Sequence, residues 1–239
     1  EEVSERREYM DTVPNAVQEL QTELDEALVW YDALETLGYG LSDKAFMQKA
    51  NAQGWARRVQ GVVTTVSDEL VALEKEYKAE MQDEQENFTG EVKRLKTAVA
   101  GLEKYADLAD IEAVADKMRK LRTQIDKATK DAALYNSREV LLGEEQTDYS
   151  GLKSTSDAFE PFYGLWVTAD EWRSSRTSWM EDPFSTLVPE EIDSVVESSW
   201  KTMYRVGKGF GLNGNDAAAK NCDAIRDEID AFKEYLPLL

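Results

Sequence analysis

An all-α fold is predicted: long antiparallel helices in an elongated bundle, with a Trp-rich helical subdomain at the C-terminal end. Three observations predict it. Apolar residues recur every three or four positions along most of the chain, while runs alternating with period two scarcely occur. Hydrophobic residues make up 42% of the sequence, with six Trp and ten Tyr, so each stripe has a core to face despite a net charge of −20.

The first helix carries Val17, Leu20, Leu24, Ala27, Tyr31 and Leu34, spaced alternately by three and four. Pro14 suits its first turn, where a missing N–H costs nothing. Gly38 and Gly40 end it, and Ser42 is placed to cap the next helix. The stripe then continues through Trp55, Val59, Val62, Val66, Leu70, Leu73 and Tyr77, with a phase shift across Val62–Leu70. Beyond polar residues 82–87 it resumes at Phe88, Val92, Leu95, Val99 and Leu102. Gly54, Gly61 and Gly90 each cost about 1 kcal/mol against Ala in a helix, which leaves open whether one helix spans 43–108.

The clearest periodicity follows, at Ile111, Val114, Met118, Leu121, Ile125, Ala128, Ala132 and Tyr135, with Asp110 as candidate cap. A polar connection over 144–150 places a boundary between residues 1–148 and 149–239. Past it, Trp166, Trp172, Trp179 and Trp200 crowd together. Pro183 breaks one helix and Pro189 opens another, whose stripe is Ile192, Val196, Ser199, Met203 and Val206. The glycines at 207, 209, 211 and 214 predict a flexible turn capped by Asn215 or Asp216. A last helix buries Cys222, Ile225, Ile229 and Phe232.

The charge balance of 48 acids to 28 bases argues against nucleic acid, which needs a basic footprint, and against an anionic membrane surface. A basic partner fits better. No apolar run reaches the ~20 residues of a membrane span. With a single cysteine no internal disulfide can form, which suits a reducing, intracellular compartment. The absence of histidine removes the commonest general base and zinc ligand. The opening residues Glu1-Glu2-Val3-Ser4 resemble no targeting signal, and the finish Leu236-Pro237-Leu238-Leu239 is abrupt, as in an excerpt of a longer chain.

Four features invite a chemical reading, and each has a plainer one. The glycines at 207–214 lack the Gly-Lys-Ser/Thr ending of a phosphate loop, have Leu212 where a dinucleotide loop has Gly, and follow a helix rather than a strand, so they read as an interhelix turn. The acidic run 144–148 offers cation ligands without EF-hand spacing, and reads as a linker that caps the next helix. Lys117, Arg119, Lys120, Arg122, Lys127 and Lys130 suit an acidic surface, but also answer the first helix, where residues 1–37 hold eleven acids and two arginines. Cys222 lies on an apolar stripe and reads as a small hydrophobe. No catalytic, cofactor or metal residue is therefore assigned. A spectrin-like or coiled-coil scaffold remains the alternative class, although Pro183, Pro189 and the glycines interrupt any single heptad seam.

One ordered set of residues goes further: Phe159, Leu165-Trp166, Trp172, Trp179, Asp182-Pro183-Phe184 and Leu187, then Ile225, Ile229, Phe232-Lys233 and Leu236-Pro237-Leu238. It resembles the N-terminal part of the dynein heavy-chain linker. Asn136-Ser137-Arg138-Glu139, Leu142-Gly143 and Asp148-Tyr149 are similar to the junction upstream of it in axonemal members, above all single-headed inner-arm types. The resemblance implies that 1–148 is a tail helical bundle with coiled-coil-like helices and that 149–239 begins the linker. It implies a structural core of Phe159, Trp166, Trp172, Trp179, Phe184, Phe232 and Leu236; the spacing of six residues from Trp166 sets Trp172 off the stripe and predicts that it is half covered. It further implies a non-catalytic, force-transmitting piece of an ATP-driven, minus-end-directed microtubule motor of cilia and flagella, whose AAA+ ring, ATP and Mg lie elsewhere in the heavy chain. The implied partners are the rest of that chain, light or intermediate chains, actin or centrin-like subunits and, indirectly, a doublet microtubule.

Overall fold

The computed structural model describes residues 2–238; Glu1, Leu239 and the side chains of Glu2, Ser4 and Leu238 lie outside the described residues. Seven α-helices and four short 3-10 turns account for nearly all of it, and no strand occurs among the described residues. The helices are α1 (Glu2–Thr36), α2 (Asp43–Gln53), α3 (Trp55–Ala100), α4 (Ile111–Leu141), α5 (Ser150–Glu181), α6 (Pro189–Leu212) and α7 (Asp216–Phe232).

Local chemistry explains most helix ends. Ser42 caps α2, its Oγ accepting from the N–H of Ala45. Gly54 closes α2, so 43–108 is not one helix, while Gly61 and Gly90 lie inside α3 without breaking it. Asp107 accepts from the N–H of Ala109 and caps the 3-10 turn before α4, of which Asp110, the expected cap of α4, is the last residue. Gly143, at φ 69°, turns the chain after α4, and only glycine adopts that backbone freely. Asp148 then accepts from both the N–H and Oγ of Ser150 at the start of α5, which holds its carboxyl below the usual carboxylate range. Pro14 lies inside α1 rather than in its first turn, because the Glu- and Arg-rich residues before it extend the helix toward the N-terminus.

The chain forms two compact units, residues 1–84 with 137–145, and residues 85–136 with 146–239. Packing draws this division, whereas composition drew the one at 148/149, so the two cut the chain differently. In the first unit α2 is tied to α1 by Lys49, whose Nζ donates to Asp32 and Glu35 at 2.9 Å each. A cleft of about 400 Å³ opens among Val3, Tyr77, Met81 and Leu141, flanked by the pairs Arg7–Glu74 at 3.1 Å and Arg138–Glu84 at 2.8 Å.

In the second unit the end of α3 and the body of α4 face each other through Phe88, Leu95, Val99, Val114, Met118 and Ile125, all buried. Phe88 stacks edgewise on Tyr149 and obliquely on Tyr135, with ring centroids 5.3 and 5.2 Å apart. Helix α5 lies among α4, α6 and α7. Three consecutive residues of it, Leu165, Trp166 and Val167, are buried, as befits a helix covered on several sides.

Candidate functional site

The candidate site is the aromatic core of α5–α7. Trp172 and Trp179 are two turns apart on α5, so they share a face, and Phe232 at the end of α7 meets them there. Trp172 lies edgewise to Trp179 and to Phe232, with centroids 6.1 and 5.4 Å apart, and Trp179 is 5.5 Å from Phe232. Edge-to-face pairs of this kind add about 0.5–1.5 kcal/mol each beyond area burial. Trp166 lies off that face, in the same core, beside Leu165.

Polar ties surround the cluster. Arg173 donates to both carboxylate oxygens of Glu228 on α7 and, at 3.0 Å, to the carbonyl of Leu108. Asn221 Nδ2 donates to the carbonyl of Ala106 at 3.0 Å. The turn between α3 and α4 is thereby fastened to α5 and α7. On another side of α5, Arg122 makes a two-pronged contact with Glu160 at 2.5 and 2.7 Å and lies 4.4 Å from the Tyr163 ring centroid. Arg119 reaches Asp170 at 2.7 Å. The hydrogen bond from Arg122 holds the Glu160 carboxyl below its ordinary range. The carboxylates that these two arginines of the basic stretch pair with are Asp170 and Glu160 on α5 and, for Arg119, also Asp116 on α4 itself, rather than acids of the first helix.

The residues expected in the core divide as follows. Phe159, Trp166, Trp172 and Phe232 are buried, and Trp179 and Leu236 are partly buried against them. Phe184 is 65% exposed, contrary to expectation, because it lies in the 3-10 turn Phe184–Thr186 between α5 and α6, outside either helix. Trp172 is fully buried where half coverage was expected. Six residues from Trp166, it points to a different face of α5, and that face too is covered.

The glycines at 207, 209 and 211 are not a flexible turn but lie within α6, and the turn is confined to Gly214, at φ 76°. Gly207 is there for a close approach: a Cβ on it would fall 2.9 Å from Cβ of Cys222. Gly164 plays a similar part on α5, where a Cβ would lie 3.2 Å from Cγ2 of Val206. Neither close approach was read from the sequence, which took Gly207 for part of a turn and passed over Gly164. The usable signal was that Gly207 lies on the stripe side of its helix next to Val206, as an interface glycine would. Asn215 caps α7 by accepting from the N–H of Ala218. Burial pushes the Cys222 thiol up to about 12, so it serves as packing rather than as a nucleophile.

Among the described residues no three His, Cys, Asp or Glu side chains gather as metal ligands, and no helix is long and apolar enough to cross a membrane.

Residues 152–239 match the family model described as "Dynein heavy chain, N-terminal region 2". Over all 239 residues the chain is 29% identical to dynein axonemal heavy chain 1 of Mus musculus and 28% identical to that of Homo sapiens. Over 124 residues, 52% of the chain, it is 29% identical to dynein axonemal heavy chain 3 of Homo sapiens, of which that stretch is 3%. The chain spans only 6% of the length of the heavy chain 1 relatives. Matched by a dynein model over its aromatic helices and by axonemal heavy chains from end to end, this all-α structural segment belongs to the dynein heavy-chain family.

Proposed function

We propose that the chain is the tail-to-linker segment of an axonemal dynein heavy chain, non-catalytic in itself, in which residues 1–148 serve docking and assembly and 149–239 begin the force-transmitting linker. The observation that carries this reading is the closed aromatic core of α5–α7, built from Phe159, Trp166, Trp172 and Phe232 inside the stretch that matches the heavy-chain model. A core packed to crystal-like density transmits strain, where a loose one absorbs it. On this reading ATP and Mg act in the AAA+ ring of the whole heavy chain, and the segment holds no cofactor of its own. Its partners are the rest of that chain, light or intermediate chains, and actin or centrin-like subunits, with the doublet microtubule reached indirectly. Its place is the axoneme of a cilium or flagellum.

The test is made in the full heavy chain. Deleting residues 1–84 should leave basal ATPase nearly unchanged and abolish incorporation into the axoneme. The cut is made at 84 rather than 148 because residues 85–136 share a compact unit with α5–α7. Replacing Trp179 by Ala, which thins the cluster from a partly covered position, should permit incorporation and lower sliding velocity. Docking of the truncated chain at wild-type occupancy would remove the assembly role. Unchanged velocity in the folded Trp179→Ala protein would remove the mechanical one.

A further inference from the structure

Helix α1 has two apolar faces, and the fold uses one. Met10, Val17, Leu24 and Tyr31, spaced by seven, are partly covered. Rotated around the helix by about 60° (Leu20, Ala27 and Leu34) to about 120° (Trp30), a second seam stands in solvent, and Leu37 extends it just past the last residue of α1. Trp30 is 74% exposed and Leu37 82%. The seam keeps the alternating three-four spacing of a coiled-coil core, with Leu20, Ala27 and Leu34 in one register and Trp30 and Leu37 in the other. Exposed aromatic and aliphatic residues in that register amount to a contiguous patch rather than scattered surface leucines.

Its charge selects the occupant. Glu19 and Glu26 border the seam on the side away from the covered stripe, and Glu23 lies within it. All three are exposed, and none is in an ion pair among the described residues. A second copy of this chain would set the same glutamates against each other, on a molecule already at −20. A helix carrying Lys or Arg beside its own apolar stripe would instead satisfy both features.

We propose that this face of α1 docks a basic amphipathic helix of a separate subunit, its apolar stripe on Leu20, Trp30, Leu34 and Leu37 and its cations against Glu19, Glu23 and Glu26. The proposal deepens the assembly role given above to the first half of the chain, and it has its own readout.

The probe is a three-heptad peptide with Leu in the core positions and Lys at the flanks, beside a twin with Glu in place of Lys. By calorimetry the lysine peptide should bind the chain about tenfold or more tightly than its twin. The triple variant Glu19→Lys, Glu23→Lys, Glu26→Lys should reverse that preference. Diffuse attraction to an acidic protein would leave it unchanged and overturn the proposal, as would no binding by the parent chain. The source of the occupant is read in the full heavy chain through Ala27→Cys. In the purified heavy chain alone this thiol should react freely with a maleimide, and in the assembled complex it should be protected at least tenfold. Protection in the heavy chain alone would make the occupant another part of the same polypeptide and overturn the proposal, and so would equal labelling in both. Loss of incorporation on deleting 1–84, with no such protection, would leave the assembly role standing and remove this face from it.

Discussion

The six tryptophans report two different kinds of helical packing in one chain. Trp30 and Trp55 belong to the first compact unit, and Trp166, Trp172, Trp179 and Trp200 to the second. Trp166 and Trp172 are wholly buried, while Trp30 projects from α1 into solvent. Among described apolar residues of the first unit only Leu70 and Met81 reach full burial, whereas every helix of the second contributes several. The same three-four periodicity thus serves two ends. In the second unit it closes a core around α5. In the first it lays long helices side by side and leaves surface to spare. A periodic stripe predicts a helix, and says little about how completely that helix is covered.

The comparison is tested hardest in the second unit. Replacing either Trp166 or Trp172 by Ala should destabilise the protein by about 3–5 kcal/mol in urea or thermal melts. Neither indole N–H donates to a protein acceptor, so Trp166→Phe forfeits no hydrogen bond within the protein and should cost well under half as much. A melt of Trp166→Ala within a degree or two of the parent would mean that the core is not closed.

A smaller effect separates the glycines of α6. Gly207→Ala drives a Cβ into the backbone-fixed Cβ of Cys222, and should cost about 1–3 kcal/mol through displacement of α6 from α7. Gly209 and Gly211 face open space, where the same change should gain about 0.5–1 kcal/mol from helix propensity. Equal effects at the three positions, read by thermal melts, would deny the close approach.

That contrast marks the limit of what the chain displays in one dimension. Helix identity was legible over most of the chain, since it rests on local spacing, caps at Ser42 and Asn215, and the proline at 189, and it failed at Gly207–Gly211, which lie in α6. The members of the aromatic core were legible where they lie on a helical stripe, as Trp172 and Trp179 do two turns apart on α5 and Phe232 does after Ile225 and Ile229 on α7. Coverage was not legible. Phe184 is as hydrophobic as Phe232 but lies in a turn, and Trp172 was expected half exposed because a single stripe was assumed for a helix with several neighbours. Gly207 read as flexibility because a glycine at a close helix crossing differs from one in a turn only by what stands opposite it, here Cys222. The basic stretch of α4 was matched to the acidic first helix, whereas Arg119 and Arg122 find carboxylates on α5 and, for Arg119, also at Asp116 one turn away on α4.

The α4–α5 contact should show a modest, pH-dependent effect. The Arg122 hydrogen bond lowers the Glu160 carboxyl in the folded state. Its contribution is therefore present above the ordinary glutamate value of about 4.3 and is lost as the pH falls through the depressed folded one. Both side chains are partly in solvent, so Glu160→Gln should cost only about 0.5–1 kcal/mol near neutral pH. Parent and variant should converge in acid, where Glu160 itself is protonated. A gap that persisted in acid would assign the effect to packing against Phe159 and Tyr163 instead.

The smallest predicted effect belongs to the tryptophan that the fold leaves outside. Trp30→Ala should change stability by less than about 0.5 kcal/mol, because a surface side chain gives up little contact on truncation. Helix propensity acts in the opposite direction, since Ala is the better helix former by some tenths of a kcal/mol, and the net change could favour the variant. Trp30 lies one turn before Leu34 and two before Leu37 on the exposed seam, so no buried neighbour loses its cover when the indole is removed. Identical chemistry at Trp30 and Trp166 should thus give urea midpoints on opposite sides of a wide gap. If Trp30→Ala instead lowered the midpoint as Trp166→Ala does, the second face of α1 would be covered within this chain, and the two regions would not differ in kind.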